Sequence, residues 1–219
     1  RGVVKCALKP ERQVQISYQK NGTVYERTLP EKSAIPLIFR MCAQRYIVQQ
    51  AISLTKHETQ PIDFRVSVQK GAGGKWAVSG IVARKGLKEA VVTNVAAGGT
   101  CHPALPLLRQ QFPHTYRSVY RQLGELSLQI AKKLEQHDSS YADLGLDLAV
   151  DEKGKIWLLE VNGRDLRITF YHAKEKEMWH NTFRRPMEYA AYLLQQKMPP
   201  VSRAGAMSLS ILTPGALPV

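Results

Sequence analysis

Cysteine is scarce in this chain: Cys6, Cys42 and Cys101 are odd in number, far apart and in no CxxC pair. That excludes a fold built on disulfides and a thiolate zinc site, and leaves reduced cytosolic thiols as the reading. No uninterrupted apolar run reaches roughly 18 residues, so no membrane-spanning helix is indicated. His57, His102, His114, His137, His172 and His180 are scattered and form no HExxH pair, so they give no zinc-enzyme pattern. Acid is in short supply as well: 18 Asp and Glu against 31 Lys and Arg leave a net charge of +13. Such a balance favours anionic partners, nucleotides among them. The basic residues come in ones and twos, without a zinc, helix-turn-helix or RNP-like pattern, so nucleic acid is not the expected partner. A starting Met and a charged-then-apolar leader are both missing, and Arg1-Gly2-Val3 reads as the start of a fragment or processed product.

What is present is a series of short strands with a few helices. Residues 3–9, 12–19 and 23–29 read as strands, with Asn21-Gly22 as a hairpin turn. A helix is expected over 34–44, then a short buried strand at Tyr46-Ile-Val-Gln-Gln50. Asp63 to Gln69 alternates polar and apolar with period two, the Gly71-Ala-Gly-Gly74 turn follows, and Trp76 to Arg84 is the returning strand. A third strand is expected over 90–95. Val119, Leu123, Leu126, Ile130 and Leu134 give 116–136 the spacing of a core-facing helix. Pro186 to Gln196 reads as a last helix, and the Pro- and Gly-rich stretch from Pro199 as an irregular tail. This order implies an α+β fold rich in antiparallel sheet, not a βαβ array.

The most informative stretch is Gly145 to Gly163. Leu144–Val150 and Ile156–Val161 are two apolar strands around the turn Asp151-Glu-Lys-Gly154. If the loop has an even number of residues, Asp147 shares a sheet face with Leu158, Glu160 and Asn162. Two carboxylates and an amide oxygen are the ligands a hard cation such as Mg²⁺ takes. A hairpin whose outer face is simply wet is the alternative, and the hairpin alone does not decide between them. Cys101-His102 is a poor nucleophile pair, because no orienting acid is evident nearby.

Taken in order, Tyr-Ile-Val-Gln-Gln, Asp-Phe-Arg-Val, Gly-Lys-Trp-Ala-Val-Ser-Gly, Thr-Asn-Val-Ala-Ala-Gly-Gly and Leu-Leu-Glu-Val-Asn-Gly-Arg resemble an ATP-grasp domain. Within that superfamily they look most like the YheC/YheD family associated with the bacterial endospore coat, over roughly residues 1–196. The resemblance implies an ATP-grasp fold of two lobes with antiparallel sheets and flanking helices, truncated at its N-terminus. It places the remainder of the small lobe at 1–45, the C-terminal lobe at 46–196 and an irregular tail at 197–219. It implies ATP with Mg²⁺, or Mn²⁺ in its place, held by Asp147, Glu160 and Asn162. Arg84 and Arg65 match arginines facing the transferring phosphoryl group, with a surface ion pair as the plainer alternative for each. Asn94 with Gly98 and Gly99 would bring backbone N–H groups to an anion, or form a plain loop. Val48, Gln49, Gln50 and Ile52 match the segment that meets adenine and ribose. Leu159 would pack on adenine, or serve as an ordinary core residue.

The implied chemistry is phosphorylation of a carboxylate to an acyl phosphate, which an amine or similar nucleophile then attacks. The substrates implied are an unidentified carboxylate and nucleophile, of peptide or cell-envelope type. A spore-coat scaffold that binds nucleotide without turnover is the competing function, and a basic nucleic-acid binder a distant third. The chain begins where the family's glycine-rich phosphate loop is ending, so a fragment of this extent is expected to bind ATP poorly. Arg164-Asp165 stands where many ATP-grasp ligases carry a small residue and Pro, so substrate contacts there are expected to differ.

Overall fold

Alternating apolar residues fold the first part of the chain onto one helix. Strands β1 (Val4–Lys9), β2 (Gln13–Lys20) and β3 (Thr23–Pro30) form an antiparallel sheet in that order. Val14 and Ile16 of β2 bury against Ala34 of helix α1 (Glu31–Met41), with Leu29, Leu37 and Ile38 around them. The computed structural model describes residues 3–20, 23–42, 47–57, 59–88, 93 and 98–197.

A larger sheet carries the rest. Its strands are β4 (Lys56–His57), β5 (Gln60–Lys70), β6 (Trp76–Lys85), β7 (Thr100–Pro103), β8 (Asp143–Val150) and β9 (Ile156–Asn162). They run in the order β7-β6-β5-β8-β9, with β4 on β5, and every pairing is antiparallel. Central β5 shows the period-two logic most clearly. Ile62, Phe64, Val66 and Val68 enter a core with Leu144, Leu146, Leu148 and Val150 of β8. Leu107 and Leu108 of α2 (Ala104–Gln111) and Val119, Leu123 and Ala131 of α3 (Tyr116–Glu135) close that core. Each such Val, Leu, Ile or Phe side chain stabilises the fold by about 1.5–3 kcal/mol.

The opposite face of β5 carries Asp63, Arg65, Ser67 and Gln69, all buried. Helices α4 (Ile168–His172) and α5 (Lys176–Lys197) cover part of it through a second core of Val82, Cys101, Phe170 and Ala173, with Met178 and Trp179 against it. Close approach is possible because Gly80 has no side chain; a Cβ there would lie 2.6 Å from Phe170 and 2.8 Å from Met178.

The fold is the expected α+β arrangement, with corrections in detail. Tyr46 of the expected short strand lies outside the described residues. Residues 47–50 are not a buried strand, since they pair with none of the described residues and Ile47 and Val48 are 89% and 85% exposed. The connector docks only further on, where Leu54 bridges Asp151 and Thr55 bonds to Val150 O. Helix α1 begins at Glu31, three residues before its expected start at 34. The short pair β7–α2 follows at 100–111, a stretch for which no element was expected. Helix α5 runs through Pro186 and starts at Lys176. Proline cannot donate to the carbonyl four residues back, and that carbonyl, Thr182 O, instead accepts from Gln69 Nε2 and Arg167 Nε, each at 2.8 Å. The strand expected over 90–95 lies outside the described residues apart from Thr93, as does the tail from 198.

Candidate functional site

Two β-bulges bring the site together. In the β8–β9 hairpin the loop is Asp151–Lys155, five residues, between Val150 and its partner Ile156. Asp151 shapes it by accepting from the backbone N–H of Lys153 and Lys155, while Gly154 takes φ +81°. An unbroken ladder from Val150–Ile156 would set Asp147 opposite Leu159 and leave Glu160 opposite Leu146, on the core face. The register instead slips between Asp147 and Leu148, with Leu159 the extra residue, so Glu160 stands opposite Asp147 and Asn162 opposite Gly145. The odd loop thus departs from the even one assumed from the sequence, and the bulge restores the same convergence. Leu158 is the exception: it pairs with core-facing Leu148 and is not part of the Asp147 set.

The β5–β6 hairpin repeats the device. Its loop is also five residues, Gly71–Lys75, and the register slips beside Ser67, with Ser79 extra. Without that slip Arg84 would oppose Ile62 on the core face; with it, Arg84 opposes Asp63. β5 pairs Arg65 with Asp147 directly across.

The result is a buried charge cluster. Arg84 Nε and Nη2 donate to the two oxygens of Asp63 at 2.7 and 2.6 Å, and Nη2 also lies 3.0 Å from Asp147 Oδ2. Arg65 Nε and Nη2 donate to Asp147 at 2.7 and 3.3 Å, and its Nη1 to Asp165 Oδ1 at 3.2 Å. Thr93 donates its hydroxyl to Asp63. Two arginines against three aspartates leave the cluster with a net charge of −1. Burial alone would lower the pKa of Arg84, but the hydrogen bond and charge of Asp63, joined by Asp147, outweigh it and the pKa is raised. For Asp165 burial dominates and pushes the carboxyl above its ordinary 3.8, against the pull of Ser67 and Arg65. Buried ion pairs of this kind add little to stability, and their concentration at one sheet end makes this the candidate functional site.

Sequence expectations meet this geometry unevenly. The structure brings Arg65, Arg84, Asp147, Glu160 and Asn162 to one end of the sheet, and Arg84 and Arg65 are in buried ion pairs, not surface ones. Gly98, with φ +92°, and Gly99 lead into β7, whose Cys101 pairs with Arg84. Burial raises the Cys101 thiol pKa, only partly offset by Arg84, which opposes a nucleophilic role. Asn94 lies outside the described residues. Val48, Gln49 and Gln50 are exposed and Ile52 half-buried, on the connector that reaches the hairpin at Leu54. Leu159 is half-buried as the bulge residue. Asp63, Thr93 and Asp165 are not among the expected site residues, Asp165 standing out only as part of the Arg164-Asp165 departure from the family pattern. For Asp63 the period-two pattern with Arg65 was the available signal.

Comparison with known proteins decides the family, because the model for YheC/D-like ATP-grasp proteins matches residues 1–193. The chain belongs to the YheC/D-like ATP-grasp family. It is 30% identical over 152 residues to the endospore coat-associated protein YheD of Bacillus subtilis, covering 69% of this chain and 33% of that protein. It is 20% identical over 159 residues to YheC of the same organism, also named endospore coat-associated, covering 72% of this chain and 43% of that one. The chain therefore matches about a third of the length of one relative and under half of the other.

An ATP-grasp family implies ATP and Mg²⁺, and the donor set fits such an ion. Glu160 is exposed and makes no hydrogen bond or ion pair among the described residues. Asn162 Nδ2 donates to Gly145 O at 3.3 Å, which assigns its amide so that Oδ1 stays free to accept. Two carboxylates and a carbonyl oxygen on one face suit a hard cation. Among the described residues no three His, Cys, Asp or Glu side chains gather as metal ligands, so the remaining coordination would fall to phosphate and water. No described helix is long and apolar enough to cross a membrane.

Proposed function

We propose that this protein binds ATP with Mg²⁺, or Mn²⁺ in its place, and joins a carboxylate to an amine or similar nucleophile, the carboxylate being activated by phosphoryl transfer. One observation carries the reading. Two bulges turn a cation, Arg84, and an open acid, Glu160, onto the same end of one sheet, either side of Asp147. Asp147, Glu160 and Asn162 would hold the metal, which supplies charge neutralisation for phosphoryl transfer. Arg84 is fixed through Nε and Nη2, while its Nη1 takes part in none of the bonds formed among the described residues. That nitrogen is the donor available to an anion's oxygen. All three nitrogens of Arg65 are held by Asp147 or Asp165, so its role in this reading is to orient Asp147. Val48 to Ile52, with Leu159, would line the base end, and Gly98-Gly99 with Asn94 the phosphate end. In this reading 1–45 is the remainder of the small lobe and 46–196 the second lobe.

The test is ADP release by the intact protein with Mg²⁺, across a panel of carboxylates paired with amines. Turnover with at least one pair is expected. ATP binding with no ADP from any pair would instead support a second reading, a nucleotide-binding coat component without turnover. Both relatives are named endospore coat-associated, which favours that alternative.

A further inference from the structure

Resting on that reading, we infer that Asp165 is a positioning residue for the metal site: through Arg65 it sets the orientation in which Asp147 meets a divalent cation. A guanidinium is planar, so fixing one nitrogen fixes the directions of the other two. Asp165 holds Arg65 Nη1 at 3.2 Å, and the remaining nitrogens grip both oxygens of Asp147. The side chain of Asp165 is wholly buried. It reaches this place because β9, having delivered Glu160 and Asn162, turns back across β8 at Gly145. A Cβ at 145 would lie 2.8 Å from Asp165 Oδ1, 3.1 Å from Arg65 Nη1 and 3.3 Å from the Asp165 Cα. One short segment thus carries two ligands of the proposed site and the anchor for the third.

Stability does not account for this carboxylate. Among the described residues neither its buried Oδ2 nor the hydroxyl of neighbouring Ser67 makes a well-formed hydrogen bond, and the pull of Ser67 on this carboxyl does not offset the cost of its burial. An unpaired oxygen on a buried acid works against folding. What Asp165 contributes is direction.

Asp165→Asn keeps the shape and removes the charge. In the intact protein the expected result has three parts. Thermal stability is kept or raised, the Arg65 fork in the variant's crystal structure moves off Asp147, and the Mg²⁺ concentration for half-maximal ATP binding rises about tenfold. Gly145→Ala, which displaces Asp165, should reproduce the Mg²⁺ shift, and in an Arg65→Met background Asp165→Asn should add nothing. A variant with wild-type Arg65 geometry and an unchanged Mg²⁺ requirement overturns the inference. So does one that merely loses stability, or one whose effect adds fully to that of Arg65→Met. If wild-type protein shows no Mg²⁺-dependent ATP binding, the proposed function falls, and the Arg65 geometry in the variant alone decides the positioning role.

Discussion

The β5–β6 and β8–β9 hairpins share a plan, a five-residue loop and one extra residue on the returning strand, yet the side chains they deliver end differently. Arg84 is buried and clamped by Asp63 and Asp147. Glu160 is exposed and unpaired among the described residues. Even the extra residues differ: Ser79 is buried and bonds to Gln69 Oε1 at 2.6 Å, whereas Leu159 is half-buried. One hairpin supplies a fixed cation and the other an acid with its valence open. A site that stabilises developing negative charge needs the first rigid in advance and the second free for an ion.

The comparison breaks most violently at Arg84. Arg84→Met leaves Asp63 and Asp147 short of a partner in the interior, and should cost about 3–5 kcal/mol in urea unfolding. A loss below about 1 kcal/mol would mean the clamp is not buried as described. Gly80→Ala sits on the same hairpin and touches no charge, so it serves as a control. Its Cβ would press on Phe170 and Met178, with an expected cost of about 1–3 kcal/mol. Nucleotide binding at temperatures where the variant is folded should be retained. Ser79→Ala removes the bulge hydroxyl from Gln69 and should cost about 1 kcal/mol; no change in unfolding would show that the bulge does not depend on that bond.

A smaller effect follows from Asp165, whose folded pKa is raised above its ordinary 3.8 by burial. The stability tied to its protonated form is present below that ordinary value and lost as pH rises through the raised one. Asn does not titrate, so Asp165→Asn should gain in melting temperature relative to wild type as pH climbs above about 3.8. A difference that stays flat with pH would contradict the burial of an ionising carboxyl.

Much of this was legible in the chain. Alternation gave β5 its two faces, and helical spacing gave α3 within a residue. Asp147, Glu160 and Asn162 could be named because polar residues inside apolar strands stand out, whereas Arg65 and Arg84 were named through the resemblance to the ATP-grasp family. The bulges could not be read. Their extra residues, Ser79 and Leu159, are ordinary strand residues, and register is settled by tertiary packing of both faces. Pro186 misled for a related reason: its broken helical bond is compensated by Gln69 and Arg167, far away in sequence. Ile47 and Val48 read as buried because they are apolar, but with no strand beside them they stay exposed. Asp165 drew notice only as a departure from the family pattern; its role could not be read, since its partner Arg65 is 100 residues away.

Glu160→Gln tests the central claim most directly, with ATP binding by the intact protein measured across a Mg²⁺ titration beside its thermal stability. The open acid touches none of the clamp, so stability should stay within about 0.5 kcal/mol of wild type. Mg²⁺-dependent ATP binding should fall by about tenfold or more, as loss of a charged ligand predicts. Unchanged binding at every Mg²⁺ concentration would contradict the assignment of this hairpin face to the metal.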